Sequence, residues 1–413
     1  MKTMAKRGNS SFGSKLILVA KVYVYVSGTV SLLRALVTLL RWLRPRCGFA
    51  DCPALTYATS SRIGNLVAKK GSVLTSSYRI TPWLFNGLAQ TLSSLIRMRN
   101  PPEYSRQKIS LEKLQRPRGA TCCPDIVPAG QVSVDWLAGG SGAADDDIVI
   151  IVPGLTGHSK STYIERVAAH LAAEKYRVAC YNPRGRGGNV LTTPFLYCVG
   201  FTEDLRRVVN RIKDENPTSR LFAVGYSLGS NYLSKYVGEE KDKCVFTAAV
   251  SIACPIDCVS TSNHLASKPV QDRGLVSFVQ KLRIEYEHLL LEHSPPLDLE
   301  RLRSAKTMDA FDDALIAPMF GFSNSSDYYR YASSGLHLDS ISIPTLFLHA
   351  KNDGIVPGHV VRLANFRSNP HLVHAMLNEG AHSMDFPEGW RAKPWAPRAI
   401  AEFFRLAVEA RKT

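Results

Sequence analysis

A serine held between two glycines is the first place in this 413-residue sequence where side-chain types and spacing point to chemistry. In Gly225-Tyr226-Ser227-Leu228-Gly229, the apolar run Leu221–Val224 ends at the pentapeptide and a helical pattern starts at Leu228. A strand-to-helix elbow of that kind lifts a hydroxyl clear of a sheet on strained backbone, and only small neighbours let strand and helix pack so closely. At average composition the string alone arises by chance in about one chain of this length in seven, so it is the strand–turn–helix setting that makes Ser227 the candidate nucleophile.

A hydroxyl attacks a carbonyl carbon only when a base takes its proton, and the base needs a third group to orient it. With an elbow serine the expected chain order is Ser, acid, His. Asp353 lies just past the apolar run Leu346–His349, and His382 lies past the next run, Leu372–Leu377, behind Gly380 and Ala381. Acid and base thus fall on adjacent loops at one edge. Asp385 is close to His382 but follows it, and reads as a supporting or structural residue. Negative charge on the attacked oxygen calls for preorganised N–H donors. The Leu228 N–H is one. The second is expected from Pro153-Gly154-Leu155-Thr156-Gly157-His158, where Pro153 has no N–H, so Leu155 is chosen with Thr156 in reserve. This loop is not a phosphate-binding loop, because no Gly-Lys-Ser/Thr follows at the right spacing. Asn182-Pro183-Arg184-Gly185-Arg186-Gly187-Gly188 reads equally as a pocket wall that binds an anionic head group and as a turn with solvated arginines.

The elements that must position these residues alternate. Strands are predicted at Val132–Trp136, Ile148–Val152, Arg177–Tyr181, Leu221–Val224, Phe246–Ile252, Thr345–His349 and Leu372–Leu377. Helices are predicted at Ser161–Ala173 and Phe201–Lys213, and from Leu228, His359 and Pro397. Continuously apolar strands alternating with helices imply an α/β fold with a mostly parallel central sheet covered on both faces. Between residues 254 and 340 the alternation stops and the pattern turns helical, notably over Leu275–His293 and Leu299–Met308. Such an insertion reads as a helical cap over the carboxyl edge of the sheet, where open α/β sheets bind ligands.

Several of these stretches resemble the abhydrolase-4 family of the α/β-hydrolase superfamily. The resemblance rests on Pro153-Gly154-Leu155-Thr156-Gly157, Asn182-Pro183-Arg184-Gly185, Gly225-Tyr226-Ser227-Leu228-Gly229-Ser230-Asn231 and Gly380-Ala381-His382. Val134-Asp135-Trp136 and Asp327-Tyr328-Tyr329 extend it from about Tyr78 to the C-terminus. It implies an α/β-hydrolase fold, a triad falling on Ser227, Asp353 and His382, acyl esters or lipids as substrates, and in many members an N-terminal membrane anchor. Two departures stand out: Asn86-Gly87-Leu88-Ala89-Gln90-Thr91 lacks the histidine of the family's Asn-Gly-His-Leu-Gln-Thr, and Gly354 follows Asp353 where proline is common.

Composition bounds the rest. With 45% apolar residues the chain can bury a large core. The formal charge of +16 is uneven: residues 1–118 hold 20 Lys/Arg against Asp51, Glu103 and Glu112, and the remainder is near neutral. Leu16–Leu40 is apolar but interrupted by Lys21 and Arg34, which leaves a poor spanning helix. Residues 1–77 are therefore expected to be a basic extension carrying an anchor at about 16–40, with the hydrolase domain at 78–413 and its cap at 254–340. Contact with a membrane surface is the favoured reading of the extension, and an organellar targeting segment the alternative. No aromatic-interleaved basic patch argues for nucleic acid. Nine cysteines form no disulfide framework, and Cys254 and Cys258 have no second Cys/His pair to complete a zinc site. No metal or cofactor is expected, and oligomeric state is not legible. The function these readings favour is a carboxylic ester hydrolase working through an acyl-enzyme. An acyltransferase or ester synthase using the same triad and a silent lipid- or partner-binding protein are the alternatives.

Overall fold

The structure, a computed structural model, describes residues 30–37, 52–81, 83–84, 87–94, 98, 100–115, 126–138, 146–293 and 295–412. Its centre is a nine-stranded sheet, made of β1 (Ala54–Tyr57), β2 (Tyr104–Leu111), β3 (Gly130–Leu137), β4 (Ile148–Val152), β5 (Arg177–Asn182), β6 (Leu221–Tyr226), β7 (Phe246–Ile252), β8 (Thr345–Ala350) and β9 (Leu372–Leu377). The spatial order is β1-β9-β8-β7-β6-β4-β5-β3-β2. Neighbours from β9 through to β5 are parallel, and β1, β3 and β2 pair antiparallel at the two edges.

Strand β4 shows why the apolar runs form this sheet. All five of its residues are buried, Ile148, Ile150 and Val152 in the hydrophobic cluster on one face and Val149 and Ile151 in the cluster on the other. A strand with two buried faces needs helices on both sides. The connecting helices are α1 (Arg62–Lys70), α2 (Gly87–Ser93), α3 (Thr162–Ala173), α4 (Glu203–Glu215) and α5 (Leu228–Glu240). After β7 come α6 (Cys258–Ala266), α7 (Pro269–Leu290), α8 (Leu299–Ser304), α9 (Met308–Ala314), α10 (Ile316–Met319) and α11 (Ser325–Ala332), and then α12 (Leu363–Ser368) and α13 (Ala396–Lys412). Helices α1, α3 and α13 cover one face through Val67, Leu171 and Phe403. Helices α4 and α5 cover the other through Val208 and Tyr236, and the cap residues Val279, Phe311 and Tyr328 belong to that second cluster.

Strands β5 and β6 lie on opposite sides of β4. Successive connections therefore leave the carboxyl ends of β4 and β6 in opposite directions, which opens a crevice where the loop after β4 and the elbow after β6 face each other.

Two expectations change. The boundary of the basic extension at residue 77 does not follow the fold: β1 pairs with β9, and α1 packs on α13. The Glu402 carboxylate of α13 accepts backbone N–H bonds from Ser72, Val73 and Leu74, which fastens this stretch to the far end of the chain. The helix expected from Leu299 to Met308 is two: α8 stops at Ser304, and Thr307 caps α9 by accepting from the Ala310 N–H. The expected anchor at 16–40 lies outside the described residues apart from a short helix at 30–37, in which Leu32, Leu33 and Leu36 are exposed. Among the described residues no helix is long and apolar enough to cross a membrane.

Candidate active site

The elbow after β6 is as strained as its sequence demands. Ser227 sits at φ 51° and ψ −122°, a backbone conformation that L-residues rarely adopt. The flanking glycines leave no room for a side chain: a Cβ on Gly225 would stand 2.5 Å from the Ser230 Cα, and one on Gly229 would run into the Pro153 and Val152 carbonyls. The Ser227 N–H donates to the Ile252 carbonyl at 2.8 Å, which pins the elbow to the end of β7. Asn231, one turn into α5, donates to the Ala332 carbonyl and accepts from the Ser334 N–H, joining the elbow helix to the last turn of the cap.

Ser227, Asp353 and His382 come together although 155 residues separate the first from the last. The Ser227 Oγ lies 2.8 Å from His382 Nε2, and His382 Nδ1 lies 2.7 Å from Asp353 Oδ2. The other oxygen of Asp353 accepts N–H bonds from Ile355 at 2.8 Å and Val356 at 2.9 Å. With one oxygen committed to its own loop, the carboxylate has a single orientation toward the imidazole. That fixes the proton on Nδ1 and leaves the Nε2 lone pair facing the hydroxyl. Asp385 is not a competitor for the imidazole. Its carboxylate pairs with Arg166, and burial pushes it up to about 6 with that arginine opposing the rise.

The loop after β4 sorts its N–H groups. Gly154 donates to the Tyr163 hydroxyl at 2.9 Å, Gly157 to the Gly154 carbonyl at 2.9 Å, and Thr156 to the Tyr197 hydroxyl at 3.2 Å. The Leu155 N–H and the Leu228 N–H have no partner among the described residues. Thr156, the reserve donor, is thus already engaged. Arg186 donates to the Thr156 carbonyl through Nε at 3.0 Å, clamping the loop from the β5 side. Nothing in their local sequence marks Tyr163 and Tyr197 for the site, and Arg186, which belongs to the run read as a pocket wall or a solvated turn, instead braces the loop after β4.

The glycine-rich turn after β5 is neither a row of solvated arginines nor an open anion site. Arg184 is 2% exposed and forms a two-pronged ion pair with Asp204 at 2.7 and 3.0 Å, and it also donates to the Pro128 and Ala129 carbonyls. A buried guanidinium with four of its five N–H donors taken up in this way holds α4 against the entry to β3 instead of facing a ligand.

A cavity opens from Ser227 and His382 beneath the cap. Leu196, Val199, Val279, Leu282, Phe311 and Ile316 give it an apolar wall, and Asp312 with Tyr329 supplies its buried polar corner. The Tyr329 hydroxyl donates to Asp312 Oδ2 at 2.8 Å, and burial pushes the Asp312 carboxyl up to about 7. Cys254 and Cys258 are free buried thiols, held protonated because burial pushes them up to about 11 and about 12. Among the described residues no group of three or more His, Cys, Asp and Glu side chains is arranged to hold a metal ion. The Cys122–Cys123 pair lies outside the described residues.

The family model described as alpha/beta hydrolase fold matches residues 147–386, more than half of the chain and all three facing side chains. The chain belongs to the alpha/beta hydrolase fold family. Within it, this hydrolase is 29% identical to phospholipase ABHD3 of Homo sapiens over 350 residues, 82% of this chain and 80% of that protein. It is 32% identical to a monoacylglycerol lipase of Saccharomyces cerevisiae over 266 residues, 63% of this chain and 59% of that one. A medium-chain fatty acid ethyl ester synthase/esterase 2 of the same yeast is 29% identical over 283 residues, 63% of this chain and 62% of that one. Among solved structures, an esterase of Pyrococcus furiosus superposes with a TM-score of 0.46 at 16% identity, over 74% of this chain and 98% of that one.

Proposed function

We propose that this hydrolase cleaves acyl or lipid esters through an acyl-enzyme on Ser227. The enzyme is a carboxylic ester hydrolase in its coarse activity, and the finer assignment rests on one observation above all: the continuous chain Ser227 Oγ–His382–Asp353, with contacts of 2.8 and 2.7 Å, opens onto an apolar cavity. In this mechanism His382 takes the Ser227 proton as Oγ attacks the ester carbonyl. Asp353 stabilises the imidazolium and keeps the reactive tautomer, and the Leu155 and Leu228 N–H groups receive the oxyanion. His382 then gives the proton to the leaving alcohol, and water releases the acyl group by the reverse sequence of transfers. An alcohol that reaches the acyl-enzyme before water gives an ester instead, so hydrolysis and ester synthesis are two outcomes of one site. A catalytically silent lipid-binding protein would have no use for an aligned proton path.

The apolar wall beneath the cap suits an acyl chain, and a lipid substrate brings the enzyme to a membrane or micelle surface. The reading retained for the basic N-terminal segment is contact with such a surface, to which its arginines and lysines are attracted.

Labelling with a fluorophosphonate probe tests the nucleophile. Wild type is expected to label and to turn over p-nitrophenyl esters of graded chain length, with Ser227→Ala folded and silent in both assays. Undiminished labelling of Ser227→Ala, or a folded wild type that neither labels nor turns over, would sink the proposal.

A further inference from the structure

Helix α2 carries Gln90, a polar side chain only 1% exposed. Its amide joins two loops that are remote in sequence. The Gln90 Oε1 accepts from Asn352 Nδ2 at 3.2 Å and from the Gly380 N–H at 3.2 Å, and Gln90 Nε2 donates to the Leu84 carbonyl at 2.8 Å. Asn352 continues the tie: its Oδ1 accepts from the Ala381 N–H at 2.7 Å, and its Nδ2 also donates to Glu379 Oε2 at 2.6 Å. Donors meet acceptors throughout, so each amide has one orientation that satisfies the cluster. Asn352 immediately precedes Asp353, and Gly380 and Ala381 immediately precede His382. Ser94, just past the helix, grips the other flank of the histidine by accepting from the Met384 N–H at 3.1 Å and facing the Ser383 hydroxyl at 3.2 Å.

The histidine loop needs such a hold. Gly380 at φ 144° and Ala381 at φ 51° put two successive residues in conformations that persist only where the surroundings over-determine them. The acid and the base stand on separate loops, so their 2.7 Å contact depends on how those loops are held relative to each other.

We propose that Gln90 is a positioning residue for catalysis, tying the Asp353 loop to the His382 loop through a single shared carbonyl oxygen. The proposal rests on the triad reading above. It gives a task to Asn86-Gly87-Leu88-Ala89-Gln90-Thr91, which the reaction itself leaves unused.

Gln90→Met keeps the length of the side chain and removes its polar atoms. Active sites are titrated with a fluorophosphonate, and kcat and KM for a p-nitrophenyl ester are then expressed per titrated site. Per-site kcat is expected to fall about 10- to 100-fold with KM within about twofold, the signature of misplaced catalytic groups around an intact pocket. Asn352→Ala breaks the same tie from its other end, and combining it with Gln90→Met is expected to cost little more than the worse single change. If Gln90→Met yields no folded protein, Asn352→Ala carries the test alone. A variant that lowers only the number of titratable sites, with wild-type kcat per site, would overturn the proposal by reducing Gln90 to a folding role, and so would losses that multiply in the double variant. A wild type that does not label would fail the triad reading instead, a result distinguishable because the Gln90 comparison presupposes a labelled wild type.

Discussion

At the scale of single residues, the proposed mechanism depends on the His382 imidazole being held in one tautomer. Asp353→Asn keeps the shape of the side chain but removes the charge that stabilises the imidazolium and the acceptor that fixes the Nδ1 proton. It is expected to lower kcat by about 10⁴-fold while leaving the fold intact, measured on short-chain p-nitrophenyl esters. Asp312 offers a second residue-level prediction. Burial lifts its carboxyl to about 7, with Asp309 adding to the rise and the Tyr329 hydroxyl opposing it. A carboxyl whose folded value lies above its unfolded value of 3.8 favours folding most at low pH, and that advantage is lost as pH climbs from about 4 to about 7. Asp312→Asn should therefore raise the melting temperature at pH 8 by a few degrees and change it little at pH 4. Ionisation also puts a charge in the wall of an apolar cavity. KM for long-chain esters is accordingly expected to rise above pH 7 in wild type and to stay flat in Asp312→Asn.

At the scale of elements, the proposed reactive groups come from loops at the carboxyl ends of β4, β6, β8 and β9, and separate clamps hold those loops. The elbow is held by sterics, since Gly225 and Gly229 let backbone approach backbone where no Cβ fits. The loop after β4 is held by Tyr163, Tyr197 and Arg186, which bind the Gly154 and Thr156 N–H groups and the Thr156 carbonyl and leave the proposed oxyanion donor, the Leu155 N–H, without a partner among the described residues. The turn after β5 is held by the buried Arg184–Asp204 pair. Removing one member of such a pair strands the other charge in a dry interior. Arg184→Ala is thus expected to destabilise the protein by about 3–5 kcal/mol, read from urea unfolding midpoints. A loss under about 1 kcal/mol would mean that the pair is hydrated and does not brace α4.

At the scale of the whole molecule, the α/β body from residue 52 onward holds 42 Lys/Arg against 34 Asp/Glu, and the N-terminal region before it holds nine Lys/Arg against the single acid Asp51. If that region meets membranes, the full chain should co-sediment with anionic vesicles far better than with neutral ones, and the difference should shrink as salt is raised. A chain starting at residue 52, just before β1, should keep its esterase activity on soluble substrates and lose the vesicle binding. Equal sedimentation of the two chains would move any membrane contact to the α/β body.

Sequence alone carried the strand–helix alternation and the order of serine, acid and histidine, because these depend on short-range patterns. Five continuously apolar residues can hardly be anything but the doubly buried β4, and the glycines around Ser227 answer a constraint only a few residues long. Sequence was mute where the partner lies far along the chain. The edge strands lack a buried apolar run: the four-residue β1 has no buried residue, β2 is mostly polar with only Leu111 buried, and both gain strand character from pairing with β9 and β3. Gln90 reaches Gly380 across 290 residues, and Tyr197 reaches Thr156 across 41. No periodicity encodes such a meeting. A hydrogen bond between distant residues exists only once the sheet has brought their loops to the same edge, so the three candidate residues could be picked from sequence as a proposal, and how they are held in register was decided by the tertiary structure.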